Sequence, residues 1–129
     1  MPPRWTFCSL RTRADFDRVF DGGRRFFRRG LGFYYRLTSL EVFRYGISTP
    51  RRFGIAVERN KFRRRVREAL RLSGERSAGI EMVICLSRKC SEVGYAEVCS
   101  TIEWALRRIR RDNAAVKTAH EAVKADDNA

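Results

Sequence analysis

The chain has 129 residues, 43% of them hydrophobic, which fits one globular domain with a single core and excludes two independent cores. Lys and Arg total 28 against 15 Asp and Glu, and the net charge of +13 favours a polyanionic partner, nucleic acid before an anionic membrane surface. A surface charged only for solubility would intersperse the two signs, whereas this chain concentrates one of them in residues 51–71.

Histidine and cysteine usage argues against a metal centre or a histidine-based active site. His120 is the only histidine and sits in the C-terminal tail. None of the spacings among Cys8, Cys85, Cys90 and Cys99 matches a zinc site, so we expect reduced core thiols. No apolar run approaches the roughly 18 to 20 residues that span a bilayer, and residues 1–10 lack the regions of a secretory signal. We therefore expect a cytoplasmic protein without a membrane partner.

A short helix is predicted first, over residues 13–21. Thr12 and Asp15 have the spacing of a capping box, and Phe16, Val19 and Phe20 recur at helical steps on one face. The glycine pair at 22–23 ends the helix, because glycine tolerates the left-handed conformation that closes a helix.

Three strands are predicted next. Residues 31–38 alternate between an apolar side and a side that carries Tyr34 and Arg36, so these two face away from the apolar strip. Residues 42–48 alternate more weakly, and Thr49-Pro50 ends that strand. Residues 80–86 are almost continuously apolar, which indicates a strand covered on both faces.

A last helix is predicted over residues 95–111, where Val98, Ile102, Ala105, Leu106 and Ile109 define one apolar face. The Ala-rich segment 112–129 has few large apolar groups, so we expect a tail that frays or extends the helix without packing. The element order predicts an α+β fold with one mixed sheet and helices over it, in a single domain at residues 1–111.

The densest charge lies on a helix predicted over residues 53–72. Phe62, Val66, Ala69 and Leu70 form its narrow buried stripe, which leaves a ridge of Arg59, Arg63 and Arg67 on the other side. A solvated helix face is the plain alternative, but arginines at this density repel one another unless an anion relieves them. DNA recognition lacks the preceding helix and tight turn, and a membrane helix would need a wider apolar face. RNA is the favoured partner.

Residues 53–71, read as FGIAVERNKFRRRVREALR, closely resemble the signature of the bacterial ribonuclease P protein family. The matching positions are Arg51-Arg52, Gly54, Arg59-Asn60, Arg63-Arg64 and Arg67. The resemblance covers about residues 9–110, through Asp15-Phe16 and Val19-Phe20 upstream and Arg88-Lys89 downstream. Two positions depart from the motif: Lys61 replaces an arginine and loses its bidentate fork, and Leu70 replaces a phenylalanine but keeps an apolar role.

The resemblance implies a subunit of the endoribonuclease ribonuclease P, which binds a large catalytic RNA and helps it remove the 5′ leader from precursor tRNA. It also implies that the RNA carries the hydrolytic chemistry with bound Mg²⁺, and that the protein has no cofactor and no catalytic residues. The implied fold is a two-layer α/β sandwich with about four strands and three helices, related to a ribosomal protein domain and containing a left-handed βαβ crossover.

The same resemblance implies two sets of binding residues. The RNA-binding set is Arg51, Arg52, Arg59, Asn60, Lys61, Arg63, Arg64, Arg67, Arg71, Arg88 and Lys89. The set that holds the single-stranded leader is Phe16, Phe20, Tyr34 and Arg36, where aromatic faces would stack on unpaired bases. A core role for Phe16 and Phe20 stays open. A non-enzymatic, ribosomal-type RNA-binding protein is the alternative function, and a stand-alone nuclease is disfavoured by the missing carboxylate and histidine cluster.

Overall fold

Five strands form one mixed sheet. The computed structural model describes the backbone of residues 6–127 and the side chains of residues 6–116. In chain order the elements are β1 (Thr6–Ser9), α1 (Arg13–Asp21), β2 (Arg24–Arg28), β3 (Leu31–Leu37), β4 (Val42–Ser48), α2 (Ala56–Leu72), β5 (Ile80–Leu86) and α3 (Tyr95–Asp127). Short 3-10 turns at Arg51–Phe53 and Cys90–Glu92 precede α2 and α3. No helix in this described part is long and apolar enough to cross a membrane.

The predicted helices and the three predicted strands are confirmed, with α2 beginning three residues later than expected. The strand order in the sheet is β1-β4-β5-β3-β2. The two strands that we did not predict from the sequence pattern, β1 and β2, are the edge strands, where this pattern is weakest. β1 has only four residues. In β2, Phe26 is buried among exposed or half-buried neighbours.

The main core lies between one face of the sheet and the helices α2 and α3. β3 contributes Leu31, Phe33 and Tyr35 to this core, and α2 contributes the predicted stripe of Phe62, Val66 and Leu70. α2 also connects β4 to β5, which are parallel neighbours, so the predicted βαβ crossover is present. Its left-handed sense stays a prediction.

Among the elements that the structure describes, α1 alone covers the opposite face of the sheet. Val19 of α1 is fully buried against Leu10 and Val83, with Phe16 and Tyr34 packed beside them. β5 is therefore buried on both faces, as its continuous apolar sequence predicts. The predicted α+β fold of three helices and one mixed sheet is confirmed, and α1 is the helix that covers this second face.

α3 continues past Arg111, and its packing extends beyond the predicted domain boundary. The Tyr35 hydroxyl donates to a carboxylate oxygen of Asp112 at 2.8 Å, and Arg24 also bonds that oxygen. The Asn113 amide donates to the Ala78 carbonyl at 3.1 Å. The helix is thus fixed to the sheet at residues 112 and 113, which we assigned to the tail.

A chain of partly buried ion pairs holds α1 on the sheet. Arg44 of β4 donates to Asp15 of α1 at 2.9 Å and to Glu81 of β5 at 2.8 Å. Both carboxylates are almost fully buried. Asp15 also accepts hydrogen bonds from the Thr12 and Arg11 amides, which completes the predicted capping box. Burial opposes ionisation of Asp15, but these hydrogen bonds and the charge of Arg44 lower its pKa to about 2.

The lowered pKa of Asp15 predicts a pH-dependent contribution to stability. The carboxylate stabilises the fold fully above the unfolded-state pKa near 4, and this contribution is lost as the pH falls toward about 2. Asp15→Asn should therefore be less stable than the wild type at pH 6, and the difference should shrink between about pH 4 and pH 2. Urea unfolding across this range measures it.

Asp17→Asn, on the exposed side of the same helix, is the matched control and should stay close to the wild type throughout. A difference between wild type and Asp15→Asn that is equal at pH 6 and pH 2 would contradict the role assigned to this carboxylate.

Candidate nucleic-acid interface

The buried stripe of α2 fixes which of its side chains reach the solvent. Phe62, Val66 and Leu70 pack into the core, so the cations lie on the sides and on the outer face of the helix. At the start of the helix the Ile55 amide donates to Glu58 at 3.3 Å, which satisfies one of the free amides of the first turn. This carboxylate also lies at the positive end of the helix dipole, where it is stabilising.

The structure divides the predicted cations of α2 into tethered and free groups. Arg59 is half-buried, and its Nε donates to the Thr49 carbonyl at 3.0 Å. Arg63 is also half-buried and donates to the Asn60 side-chain oxygen at 2.6 Å. The exposed members are Lys61, Arg64, Arg67 and Arg71, which have no ion pair or hydrogen bond among the side chains of residues 6–116. The free group can meet an anion without first breaking a bond.

A second group of predicted cations lies where β4 and β5 end. These strands are parallel, so the segments that follow them emerge at the same end of the sheet. Arg51, Arg52 and Lys89 line one groove there, and Arg88 is exposed beside Lys89. The guanidinium of Arg52 stacks on the Phe53 ring at 4.7 Å. The structure thus brings together residues that are 36 positions apart in sequence, from Arg52 to Arg88.

The predicted aromatic residues gather on the face of the sheet that carries α1. Phe16 lies directly on Gly46 of β4, since a Cβ at that glycine would come within 2.5 Å of the ring. Phe20 meets Tyr34 of β3 edge to face, with ring centroids 4.9 Å apart. Phe20 is 37% exposed, so it is a surface residue and not a core residue. Phe16 and Tyr34 are half-buried.

Phe27 belongs to the same surface, although we did not predict it. Its ring covers Gly32 and contacts Tyr34 at a centroid distance of 5.9 Å, and it is 57% exposed. Gly32 pairs with Cys85 in the neighbouring strand, so small residues lie between the rings. We call this surface the aromatic cleft. Phe16, Phe20, Phe27 and Tyr34 are its walls, Cys85 is its floor, and Gly46 and Gly32 lie beneath the Phe16 and Phe27 rings. Burial raises the pKa of the Cys85 thiol, which keeps the floor uncharged.

Arg36, the fourth residue predicted for the cleft, is engaged in the ion-pair chain. Its guanidinium donates to Glu81 at 2.8 and 3.0 Å, and its side chain is 36% exposed. Glu81 is buried, so Arg36 first of all compensates a carboxylate inside the protein. An outer edge of the guanidinium remains available beside the cleft.

We call the cations of α2 together with Arg51, Arg52, Arg88 and Lys89 the basic surface. The basic surface and the aromatic cleft meet in one groove. Arg63 and Arg67 of α2 line this groove together with Phe16 and with residues 45–47 of β4. The groove is open because β1 ends at Ser9, opposite Tyr45, so that residues 46–48 have no strand partner on that side among the residues that the structure describes. Guanidinium groups and an aromatic ring are therefore within reach of a single bound molecule.

The cysteines are free thiols. We had expected them within the core, but they are half-buried and lie at its margin. Among the side chains that the structure describes, no three His, Cys, Asp or Glu residues form a group that could hold a metal ion.

Comparison with known proteins assigns the family. The family model described as Ribonuclease P matches residues 6–110. The chain belongs to this family. A ribonuclease P protein component from Bacillus cereus is 31% identical over 102 residues, covering 77% of this chain and 88% of that protein. One from Syntrophus aciditrophicus is 30% identical over 91 residues, covering 70% and 76%. The chain is thus a subunit of the ribonuclease P endoribonuclease, which acts in tRNA processing.

Solved structures agree with this assignment. The ribonuclease P protein from Thermotoga maritima superposes with a TM-score of 0.69 at 31% identity, over 78% of this chain and 96% of that one. The ribonuclease P protein from Staphylococcus aureus, at 23% identity, has the same fold with a TM-score of 0.68, over 78% of this chain and 94% of that one.

The contact between Phe16 and Gly46 predicts that the cleft does not tolerate a side chain at that glycine. Gly46→Ala should push the Phe16 ring off β4 and lower the free energy of unfolding by about 1 to 3 kcal/mol, as overpacking does. Gly74→Ala is the control, because nothing lies within 4 Å of its added Cβ, and it should change stability by less than about 0.5 kcal/mol. Equal effects of the two changes in urea unfolding would contradict the packing described here.

Proposed function

We propose that this subunit binds the catalytic RNA of ribonuclease P through its basic surface and the 5′ leader of precursor tRNA through its aromatic cleft. The groove shared by Arg63, Arg67 and Phe16 supports this proposal most directly, because it joins the two surfaces. The RNA subunit, with its Mg²⁺, carries out the hydrolysis in the cytoplasm, and the protein supplies binding and orientation.

The chemistry of each surface matches a different part of an RNA. The free arginines of α2 suit phosphate oxygens, which accept two parallel hydrogen bonds from one guanidinium. The exposed rings of Phe20 and Phe27 suit unpaired bases, because every base has a face on which an aromatic ring can stack. Stacking also tolerates many sequences, which a protein that meets the leaders of different tRNA precursors requires.

Charge gives the protein a second role in the assembled enzyme. Two RNAs that approach each other are both polyanions, and a protein of net charge +13 between them reduces their repulsion. The same charge makes the proposed binding depend steeply on salt, because each bound phosphate releases condensed counterions.

A non-enzymatic RNA-binding protein of the ribosomal type would share the fold and the charge. The aromatic cleft favours the leader-binding subunit, since a protein that holds only folded RNA does not require four aromatic rings around small residues.

The decisive experiment is precursor-tRNA cleavage by a bacterial ribonuclease P RNA at low Mg²⁺, with and without this protein. We expect the protein to stimulate cleavage and to have no activity alone. RNA binding without stimulation would support the ribosomal-type alternative, and cleavage by the protein in the absence of the RNA would support a nuclease.

The free arginines of α2 generate a prediction about assembly. Arg64→Gln together with Arg67→Gln should weaken binding to the catalytic RNA, because both are exposed and unpaired among the described side chains. The slope of log affinity against log salt should fall by about 1 for each phosphate contact that is lost. Titration of labelled RNA at several salt concentrations measures both quantities.

Arg107→Gln with Arg110→Gln is the matched control for this double change. It removes the same charge, but both of its arginines already pair with Glu75, at 3.3 and 3.1 Å. A control that weakens RNA binding as much as the α2 variant would mean that net charge, and not the α2 surface, determines affinity.

The aromatic cleft generates a separate prediction about the substrate. Tyr34→Ala should weaken binding of precursor tRNA to the assembled enzyme by roughly 1 to 3 kcal/mol, the loss expected for one stacked base. Binding of mature tRNA should be almost unchanged, because it has no leader. Fluorescence titration of both RNAs against the assembled enzyme measures the difference.

Tyr95→Ala, at an exposed tyrosine on α3 outside the cleft, is the control and should leave this preference for the precursor intact. If Tyr34→Ala weakens precursor and mature tRNA equally, or weakens neither, the cleft does not bind the leader.

A further inference from the structure

The hairpin between β2 and β3 contains an arginine in a strained backbone conformation. β2 and β3 are joined by a two-residue turn, Arg29-Gly30, and the φ angles of these residues are 50° and 84°. Positive φ at both central positions defines the type I′ turn, in which Asn-Gly is strongly preferred. Arg29 is the one non-glycine residue with positive φ in the described chain. Residues strained in this way persist when the surrounding structure holds them, and they cluster at binding and active sites.

Two further arginines, Arg28 beside this turn and Arg108 of α3 against Phe26 of β2, stack on aromatic rings. The guanidinium of Arg28 lies over the Trp104 ring at 4.1 Å. The guanidinium of Arg108 lies 4.3 Å from the Phe26 ring and 5.6 Å from the Trp104 ring. Stacking orients these guanidinium groups in advance, so less conformational entropy is lost when their N–H groups bind an anion.

Carboxylates do not neutralise this group of arginines. Among the described side chains, no Asp or Glu forms a salt bridge with Arg28, Arg29 or Arg108. The positive charge of Arg108 helps to lower the pKa of Asp112, but Asp112 accepts its hydrogen bonds from Arg24 and Tyr35. Among the described side chains, Arg28 and Arg29 therefore have no paired carboxylate, and Arg108 has only the unbonded charge of Asp112 near it.

The sheet topology connects this group to the basic surface already described. β3 is antiparallel to β5, so the turn before β3 lies at the end of the sheet where β5 ends. A Cβ built at Gly30 would lie 3.3 Å from the side chain of Arg88, which places the turn against one of the predicted RNA-binding residues. The basic surface thus continues from Lys89 through Arg88 to the opposite edge of the sheet.

We infer that Arg28, Arg29 and Arg108 form an additional binding site for phosphate groups of RNA, at the corner between β2 and α3. We call these residues the arginine corner. The inference rests on the proposed function and extends it, because the catalytic RNA would contact both the α2 edge and the β2 edge of the sheet. Continuity with the basic surface favours RNA over an acidic protein segment. A regularly charged RNA backbone can contact cations along the whole row from Lys89 to Arg29, whereas a protein segment does not require such a row.

The turn allows a test in which stability and binding change in opposite directions. Arg29→Asn places the preferred residue in the type I′ turn, so we expect the melting temperature to rise by a few degrees. The same change removes a phosphate contact, so affinity for a bacterial ribonuclease P RNA transcript should fall roughly threefold to tenfold. The slope of log affinity against log salt should also fall by about 1.

Arg107→Gln is the matched control, since it removes one charge from α3 at an arginine that is already paired with Glu75. It should leave the RNA affinity within about twofold of the wild type and the salt slope unchanged. If Arg29→Asn melts higher but binds the RNA as tightly as the control, with the wild-type salt slope, the arginine corner does not contact RNA.

The double variant Arg64→Gln and Arg67→Gln separates failure of this inference from failure of the proposed function. If it weakens RNA binding while Arg29→Asn does not, only the arginine corner is refuted. If neither variant changes affinity or salt slope, the proposed binding of the catalytic RNA fails as well. If Arg29→Asn weakens capture of a purified acidic protein and not of the RNA, the corner serves a protein partner and the inference is overturned.

Discussion

Arg44 lies between two buried carboxylates, those of Asp15 and Glu81, and this arrangement determines where α1 sits on the sheet. Without the arginine, two negative charges would remain inside the protein with too few partners, an arrangement that destabilises a small domain by several kcal/mol. Because α1 carries Phe16 and Phe20, the position of the helix also sets one wall of the aromatic cleft. The ion pair between Arg44 and Asp15 thus also fixes where Phe16 and Phe20 lie in the aromatic cleft.

α2 can carry many cations in a stable fold because its apolar residues and its exposed cations lie on different faces of the helix. Its apolar stripe packs between the sheet and α3, and this burial stabilises the helix against repulsion among its cations. Arg59 and Arg65 also support the fold, the first through the Thr49 carbonyl and the second by stacking on Tyr95 of α3. Arg64 and Arg67 are exposed and have no partner among the described side chains. A row of arginines in a sequence therefore contains residues with different roles, which only their neighbours in space distinguish.

Much of this fold could be predicted from the sequence, because its signals are local. The capping box fixes the start of α1, and the continuous apolar run of β5 indicates burial on both faces. The edge strands could not be predicted in this way, since β1 is short and β2 buries one side chain among arginines. Phe27 was missed with β2, and its place in the cleft depends on Gly32, a neighbour across the hairpin. The hydrogen-bond partners of Arg36 and Arg59 could not be predicted either, because tertiary contacts determine them.

The early end of β1 has a consequence for the free protein. Within residues 6–127, no strand lies beside residues 46–48 of β4 on one side. An unpaired strand edge is a template on which another chain can add a strand. Arg63 and Arg67 stand next to this edge, so a second copy of a chain with net charge +13 would have to approach against like charge. The arginines therefore disfavour self-association through this edge. An RNA that neutralised them would remove that protection and at the same time cover the edge itself.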